Sequence, residues 1–385
     1  MRPMGVELLD RGLVLVGRGD GPGIEGDRCY FNYLWLRDNC PTSWSPVTRD
    51  RVFDIFSQPI DLRPAAVRLD GPSLVVEWGF DGHVSRYDVQ WLVDWSTRPG
   101  VDDLADVAQQ RWFADHRLAR FTHATVLDDV AHREQFMRSL LADGAVIVDG
   151  VPASDAGLTE LAETIGIVRA TFSGVYFDVM AKPDPMGLAY TAEALEPHTD
   201  SPCEDTPPGI QLLHCRVNTT TGGQSTLVDA ASVAEELRSM HPRDFEVLAT
   251  NAIPFRFQHR GLDMRSRQRV IEVDDSGVVT GVTISQQMAD VFDLDQALLD
   301  EFYPAFCRFG RLLREPRFVL EFTLRAGECL VFDNHRIVHG RMAYDRRTGE
   351  RHLRGCYTDR GELRSKYRTL RRDALLAERA AEAVS

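Results

Sequence analysis

The segment Pro197-His198-Thr199-Asp200 constrains this chain more than any other. In extended backbone, side chains two apart share a face, so His198 and Asp200 can reach one point. Pro197 and Pro202 mark a strand end or sheet edge, where such a point stays open to ligand. By itself the pattern reads equally well as a surface His–Asp pair. A metal site needs a third donor from a second strand entering the same structure, and the run VFDNHRIVHGR offers one. His335 and His339 compete for the role. His339 is preferred because Ile337 and Val338 lead into it along a strand and Gly340 lets backbone pack close by. Two imidazoles and one carboxylate can cap one face of a non-haem iron(II) ion and leave the opposite face open.

Other candidates are weaker. His214 sits in the core-like run QLLHC and reads as a buried, hydrogen-bonded histidine, and His132 with Glu134 diverge on an expected helix. Arg351 lies twelve residues beyond His339, on the next expected strand. Its planar guanidinium suits a co-substrate with carboxylate groups. In a stretch that also holds Arg346, Arg347 and Arg354, it carries information only jointly with the triad.

Strand and helix patterns place these residues. The first hundred residues read as short strands punctuated by turns (ELLDRGLVLV, CYFNYLWLRDNC, AAVRLD, LVVEW, HVSRYDV), a small β-rich domain over 1–98. A polar connector over 99–118 contains Pro99-Gly100. Helices are expected over 128–143, from Ser154 as N-cap to Gly166, after a Ser232/Glu235 capping box, from Asp293 or Asp295 to about Arg314, and from Arg364 onward. Strands GIQLLHCRV and QSTLVDA come before the inserted helical block, and RFVLEFTL, GECLVFDN, RIVHGR and HLRGCYTD come after it. That order suits a mostly β fold with flanking helices, a double-stranded β-helix (jelly roll) over 119–385. The aromatic, Pro- and Gly-rich stretch from Thr171 to Pro197 has little periodicity and reads as a functional loop. A net charge of −14 argues against nucleic acid or anionic membrane as partner. Seven cysteines without a CxxC pair read as reduced thiols, and with no leader or long apolar run the chain is expected in the cytoplasm.

Taken together, PHTD, GIQLLHC, TGGQS, LVFDNHRIVHGR, RHLRGCY and WLRDNC resemble the γ-butyrobetaine and trimethyllysine hydroxylase family of iron(II)/2-oxoglutarate-dependent oxygenases in the TauD-like superfamily. The resemblance implies iron(II) at His198, Asp200 and His339. It places 2-oxoglutarate at Arg351 with Ser225 and Leu213 lining its pocket, O2 as oxidant and ascorbate as a helpful additive in vitro. It also implies a homodimer.

Departures from the family pattern are informative. Of four positions that hold a structural zinc in some relatives, Cys40 and His83 match but Thr42 and Ser45 do not, so zinc is not expected. Of the aromatic cage for a trimethylammonium group, Tyr190 and Tyr357 match and Phe177 replaces a tryptophan, while Ser201 and Ser173 stand where tyrosines are expected. Asparagines for a substrate carboxylate are replaced by Gly187 and the neighbourhood of Ser285 and Gln286. The expected reaction is oxidation of an unactivated C–H, by hydroxylation, desaturation or rearrangement, in a small quaternary-ammonium zwitterion. A trimethylammonium phosphonate is set against γ-butyrobetaine as substrate. A zinc hydrolase and a non-catalytic binding protein are the readings from other classes.

Overall fold

The computed structural model describes residues 3–17, 28–97, 103–184, 187–259 and 261–382. It separates into two units, Met1–Asp103 and Leu104–Ser385. In the first, β1 (Pro3–Leu8), β2 (Gly12–Gly17) and β3 (Arg28–Asn32) form one antiparallel sheet, and β4 (Pro64–Asp70), β5 (Ser73–Trp78) and β6 (Val84–Asp88) form another. The stretch CYFNYLWLRDNC is not one strand. The Asn32 side chain accepts from the Trp35 amide and caps a short helix, α1 (Tyr33–Asp38), which turns Tyr33 and Leu36 into the core with Leu13, Phe31 and Trp78. Helix α2 (Val89–Thr97) follows β6. The Pro99-Gly100 turn lies outside the described residues.

The second unit begins with β7 (Ala119–Thr122), α3 (His123–Asp128), α4 (Val130–Asp143), β8 (Ala145–Asp149) and α5 (Asp155–Ile165). Asp129 caps α4 by accepting from the Ala131 and His132 amides, and Gly144 ends it at φ +76°. Ser154 caps α5. Then come β9 (Phe177–Val179), β10 (Leu195–His198), β11 (Ile210–Asn218), β12 (Thr221–Gly222) and β13 (Ser225–Asp229). The inserted block holds α6 (Ala230–Met240), α7 (Pro242–Thr250), the hairpins β14 (Ala252–His259) with β15 (Leu262–Arg269) and β16 (Ile271–Val273) with β17 (Val279–Val282), and α8 (Gln296–Leu312). The chain closes with β18 (Leu320–Phe322), β19 (Cys329–Asp333), β20 (Ile337–Arg341), β21 (Tyr344–Asp345), β22 (Arg351–Thr358) and α9 (Arg360–Glu382).

Two elements depart from expectation. Helix α6 starts at Ala230, because Asp229 ends β13 and Ser232 already lies inside the helix, donating to the Asp229 carboxylate at 3.0 Å instead of forming a capping box. The inserted block is not purely helical. Its hairpin β14–β15 is rich in arginine and glutamine (Arg256, Gln258, Arg265, Arg267, Gln268), which masks the strand signal in the sequence.

Two sheets face each other, in the orders β7-β8-β19-β11-β22-β9 and β10-β20-β13-β18, the jelly roll expected from the strand–helix–strand order. Period-two alternation builds the layers. Val146, Val148, Leu212, Val331 and Cys356 point outward to a core shared with α4, α5 and α9, whereas Ile147, Leu213, Leu330, Phe332 and Leu353 point inward toward the second sheet. Both faces are therefore covered, and the strands read as nearly continuous apolar runs. Helices α6 to α8 cover the four-stranded sheet through Val228 and Val338. No helix among the described residues is long and apolar enough to cross a membrane.

Candidate active site

The inward faces of the two sheets leave a cavity of about 610 Å³. Strands β10 and β20 pair antiparallel with His198 opposite His339, which sets their rings 4.4 Å apart. Asp200 follows where the chain leaves β10, held by Asn334: its amide donates to Asn334 Oδ1 at 2.9 Å, and Asn334 Nδ2 donates back to the Asp200 carbonyl at 3.1 Å. One ligand atom from each of His198, Asp200 and His339 then lies within 4.8 Å of the others, with His198 and His339 buried. Gly340, beside His339, has no room for a side chain: a Cβ there would meet the Leu195 carbonyl at 2.4 Å. His335 points elsewhere, bonding the Pro207 carbonyl through Nε2 at 2.9 Å. His214 is fully buried, as expected, but neither ring nitrogen has a hydrogen-bond partner in the structure, and burial pushes its pKa down to about 4.

Protonation states fit a metal. His198 Nδ1 lies 2.9 Å from the Glu196 carbonyl, so it carries the hydrogen and leaves the Nε2 lone pair toward Asp200. Burial lowers the His339 pKa to about 4. Burial alone would raise the Asp200 carboxyl, but His339, His198 and the Tyr357 hydroxyl hold it well below the usual range, so it stays ionised. Two imidazoles and one carboxylate are a donor set that a divalent cation completes.

Gln211, which the sequence patterns left unassigned, and Tyr357, expected only in the aromatic cage, orient this set. Gln211 and Tyr357 are register partners on β11 and β22, and both donate to Asp200 Oδ2 at 2.8 Å. The signal was present for Gln211, which alternates with the outward-facing Ile210 and Leu212 in the GIQLLHC run.

At the other end of β20, Arg341 and Arg351 are both buried, at 4% exposure each. Arg351 Nε donates to the Gly223 carbonyl at 3.2 Å while its Nη1 has no partner, and Arg341 Nε is likewise unpartnered. Among the described residues no carboxylate pairs with either guanidinium. Burial, with the neighbouring Arg341 charge, depresses the Arg351 pKa to about 10. Ser225 stands opposite Arg341 on β13, and Leu213 lines the same cavity. This is a cradle for a small anion.

The remaining site candidates line the cavity as well. Phe177 stacks on Tyr357 at 4.9 Å and 20°, an approach that only a glycine at 355 permits, since a Cβ there would lie 2.2 Å from the Phe177 ring. Tyr190 lines the wall with the Lys182 ammonium over its ring at 4.2 Å. Ser201 is buried with a left-handed backbone (φ +52°), and Ser173 is exposed at the cavity edge. The pair Phe172 and Phe257, 4.9 Å apart, adds apolar wall beside Ser173. Gly187 lines the cavity, but Gln287 rather than Ser285 or Gln286 reaches it: the Ser285 hydroxyl is buried elsewhere and Gln286 accepts from Arg314 at 3.1 Å. Arg256, on β14, is a further cationic lining residue that the sequence patterns did not single out.

A jelly roll with a His–Asp–His triad beside buried, unpaired arginines is the arrangement of an iron-dependent oxygenase using a carboxylate co-substrate. Residues 107–357 match the family model of the taurine catabolism dioxygenase TauD, TfdA family. The chain is 37% identical over 353 residues to the γ-butyrobetaine dioxygenase of Pseudomonas sp. (strain AK-1), covering 89% of this chain and 91% of that protein. It is 27% identical over 377 residues to the trimethyllysine dioxygenase of Meyerozyma guilliermondii, covering 91% and 94%. A taurine dioxygenase structure from Burkholderia xenovorans superposes with a TM-score of 0.48 at 16% identity over 65% of this chain and 90% of that one. The chain belongs to the TauD, TfdA family of dioxygenases, enzymes dependent on iron and 2-oxoglutarate.

Proposed function

We propose that His198, Asp200 and His339 hold iron(II), that Arg351 takes the distal carboxylate of 2-oxoglutarate, and that the enzyme oxidises an unactivated C–H of a small betaine-like zwitterion. The carrying observation is the convergence of the triad and the two unpaired buried guanidiniums in one cavity. Bound iron and 2-oxoglutarate supply the oxidising power, with succinate and CO2 as co-products. The protein supplies position. Gln211 and Tyr357 fix the Asp200 carboxylate so that Oδ1 is left for the ion. Leu213, Leu330 and Leu353 make the cavity wall apolar and keep water from competing at the anion cradle.

For the substrate, Phe177, Tyr190 and Tyr357 are the aromatic lining against which a quaternary ammonium group would sit. The two serines and Arg256 supply hydroxyl and guanidinium donors for its anion. These donors suit a tetrahedral phosphonate, so trimethylaminoethylphosphonate is our first candidate; γ-butyrobetaine, the substrate in the name of the 37% identical relative, is the alternative. A cytoplasmic homodimer belongs to the same reading, and sedimentation tests the dimer. Succinate release with iron(II), ascorbate and 2-oxoglutarate is expected to rise with one of trimethylaminoethylphosphonate, γ-butyrobetaine or trimethyllysine. Stimulation by none of them, nor by related zwitterions, would overturn the substrate class.

A further inference from the structure

The loop between β9 and β10 carries Tyr190, and its backbone is held in an unusual way. Apart from one 3₁₀ turn at Leu188–Tyr190, its described residues have no regular structure of their own. Five consecutive carbonyls, from Ala189 to Glu193, all accept hydrogen bonds. Arg341 Nη2 donates to Thr191 O at 3.0 Å and to Glu193 O at 2.7 Å, and Arg341 Nη1 to Ala189 O at 3.4 Å. The Tyr344 amide takes Ala192 O at 3.1 Å. Only Tyr190 O is bonded from another quarter, by the Lys182 amide at 2.9 Å. Arg341 and Tyr344 thus fix the loop almost alone.

Both residues also belong to the surroundings of Arg351. The Tyr344 ring lies 5.2 Å from the Arg341 guanidinium carbon and 5.8 Å from that of Arg351. Arg341 is close enough for its charge to depress the Arg351 pKa. On β20, Arg341 is two residues from His339 and so shares its face of the strand, with Leu195 and Ser225 as its cross-strand neighbours. Two buried, like-charged guanidiniums whose hydrogen bonds go to carbonyls repel each other, and among the described residues no carboxylate pairs with either. An anion seated at Arg351 removes that repulsion and leaves Arg341 free to tighten on the loop carbonyls.

We propose that Arg341 is a positioning residue that transmits occupancy of the Arg351 anion pocket to the Ala189–Glu193 loop, so that Tyr190 takes its place against substrate when the dicarboxylate co-substrate is present. The inference rests on the reading of Arg351 as the 2-oxoglutarate anchor. It separates the two buried arginines by role: Arg351 holds the co-substrate, and Arg341 sets the substrate wall.

Backbone hydrogen exchange of the full chain, loaded with zinc(II) as a redox-inert ion, tests it with 2-oxoglutarate as the probe. Saturating 2-oxoglutarate is expected to slow exchange across residues 189–195 at least fivefold in the wild type. In Arg341→Gln those amides should exchange fast with or without 2-oxoglutarate, while β19 and β20 stay protected, which shows that the variant is folded. Arg341→Lys, which keeps the charge but not the fork, should bind 2-oxoglutarate within about threefold of wild type and still lose the loop protection. In turnover, both variants should raise KM for the zwitterion tenfold or more, with the KM for 2-oxoglutarate changed much less. Equal loop protection in wild type and variants, or an effect confined to the KM for 2-oxoglutarate, overturns the role of Arg341. Calorimetric titration of the zinc-loaded wild type separates the two levels: no 2-oxoglutarate binding at millimolar concentration sinks the Arg351 assignment and this inference together, whereas tight binding without loop protection sinks this inference alone.

Discussion

The Tyr357 hydroxyl donates to Asp200 Oδ2 at 2.8 Å while its ring lies stacked on Phe177, so one side chain serves both the metal carboxylate and the aromatic wall. Tyr357→Phe separates the two duties, because the stack survives and the hydrogen bond does not. Loss of a partner that orients a metal ligand typically costs 10- to 100-fold in metal affinity or activity. Gln211 still donates to the same oxygen, so the expected loss is about tenfold in iron(II) affinity, read by competitive metal titration. Tyr357→Phe with Gln211→Leu should cost more than the sum of the singles, since the double variant leaves Oδ2 unbonded.

Arg351 trades stability for binding. Its pKa is depressed to about 10, chiefly by burial, which means the fold disfavours the charged form. The sign follows: the depressed group is a constant burden on the folded state at every pH below about 10, and the burden is relieved only as the pH rises from there toward the ordinary arginine value. Arg351→Met should therefore leave the melting temperature at pH 7 unchanged or higher, despite freeing the Gly223 carbonyl. The same variant should raise KM for 2-oxoglutarate by about 10- to 100-fold, the range for loss of a charge-assisted hydrogen bond. Melts with and without 2-oxoglutarate check both halves, because added co-substrate should stabilise wild type by mass action and leave the variant unmoved. A variant that melts well below wild type and still responds to 2-oxoglutarate would refute the assignment.

Arg256 is pre-set to meet an anion. Asp263 accepts from its Nε at 3.0 Å and Nη2 at 3.1 Å, and Arg265 donates to the same carboxylate at 2.9 and 2.7 Å, so one negative charge serves two guanidiniums. Those hydrogen bonds, from Arg265 first and Arg256 second, hold the Asp263 carboxyl far below its usual range. Arg256→Met is expected to raise KM for the zwitterionic substrate about tenfold while the KM for 2-oxoglutarate stays put. Steady-state kinetics with each reactant varied in turn decides it, and equal shifts in both KM values would count against a substrate-anion role.

In the N-terminal unit, Cys40, Thr42, His83 and Ser45 are all engaged in hydrogen bonds. Cys40 Sγ, Thr42 Oγ1 and His83 Nε2 form a triangle with sides of 3.1, 3.2 and 3.4 Å, distances of hydrogen bonds between side chains. Ser45 is occupied in its own turn, accepting from the Val47 and Thr48 amides at 3.3 and 3.1 Å. Elemental analysis of protein purified without chelator should find iron-binding capacity near one per chain and zinc far below one, and a strong chelator should not lower the melting temperature of the unit.

The parts of the site that were legible in the sequence are those carried by local chemistry. His198 and Asp200 could be read because a two-residue spacing fixes a shared face, and His339 because a strand pattern surrounds it. The jelly roll followed from the order of strand and helix signals. What was not legible depends on register between distant strands: that Gln211 stands opposite Tyr357, or that Arg341 reaches carbonyls in the Ala189–Glu193 loop, is decided by pairings no local pattern encodes. The hairpin β14–β15 escaped because its polar strands have little β-propensity of their own, and it is the hairpin that brings Arg256 and Phe257 to the cavity.

Arg336 shows the same limit within the motif that identified His339. Its side chain, 3% exposed, donates to both oxygens of Asp229, itself fully buried, and to the carbonyls of Ala142 and Gln110 at 2.6 Å each. The guanidinium thereby joins the end of β13, the end of α4 and the segment that carries Trp112, whose amide also donates to Asp229 at 3.3 Å. Removing one member of a buried ion pair leaves the other desolvated and uncompensated, a cost of about 3–5 kcal/mol. With roughly 2–4 °C per kcal/mol for a domain of this size, Arg336→Leu should lower the melting temperature by about 10 °C. Arg336→Leu with Asp229→Asn, which removes the stranded charge, should recover a good part of that loss. Calorimetric melts of both variants distinguish this from a simple packing defect, which the second substitution would deepen.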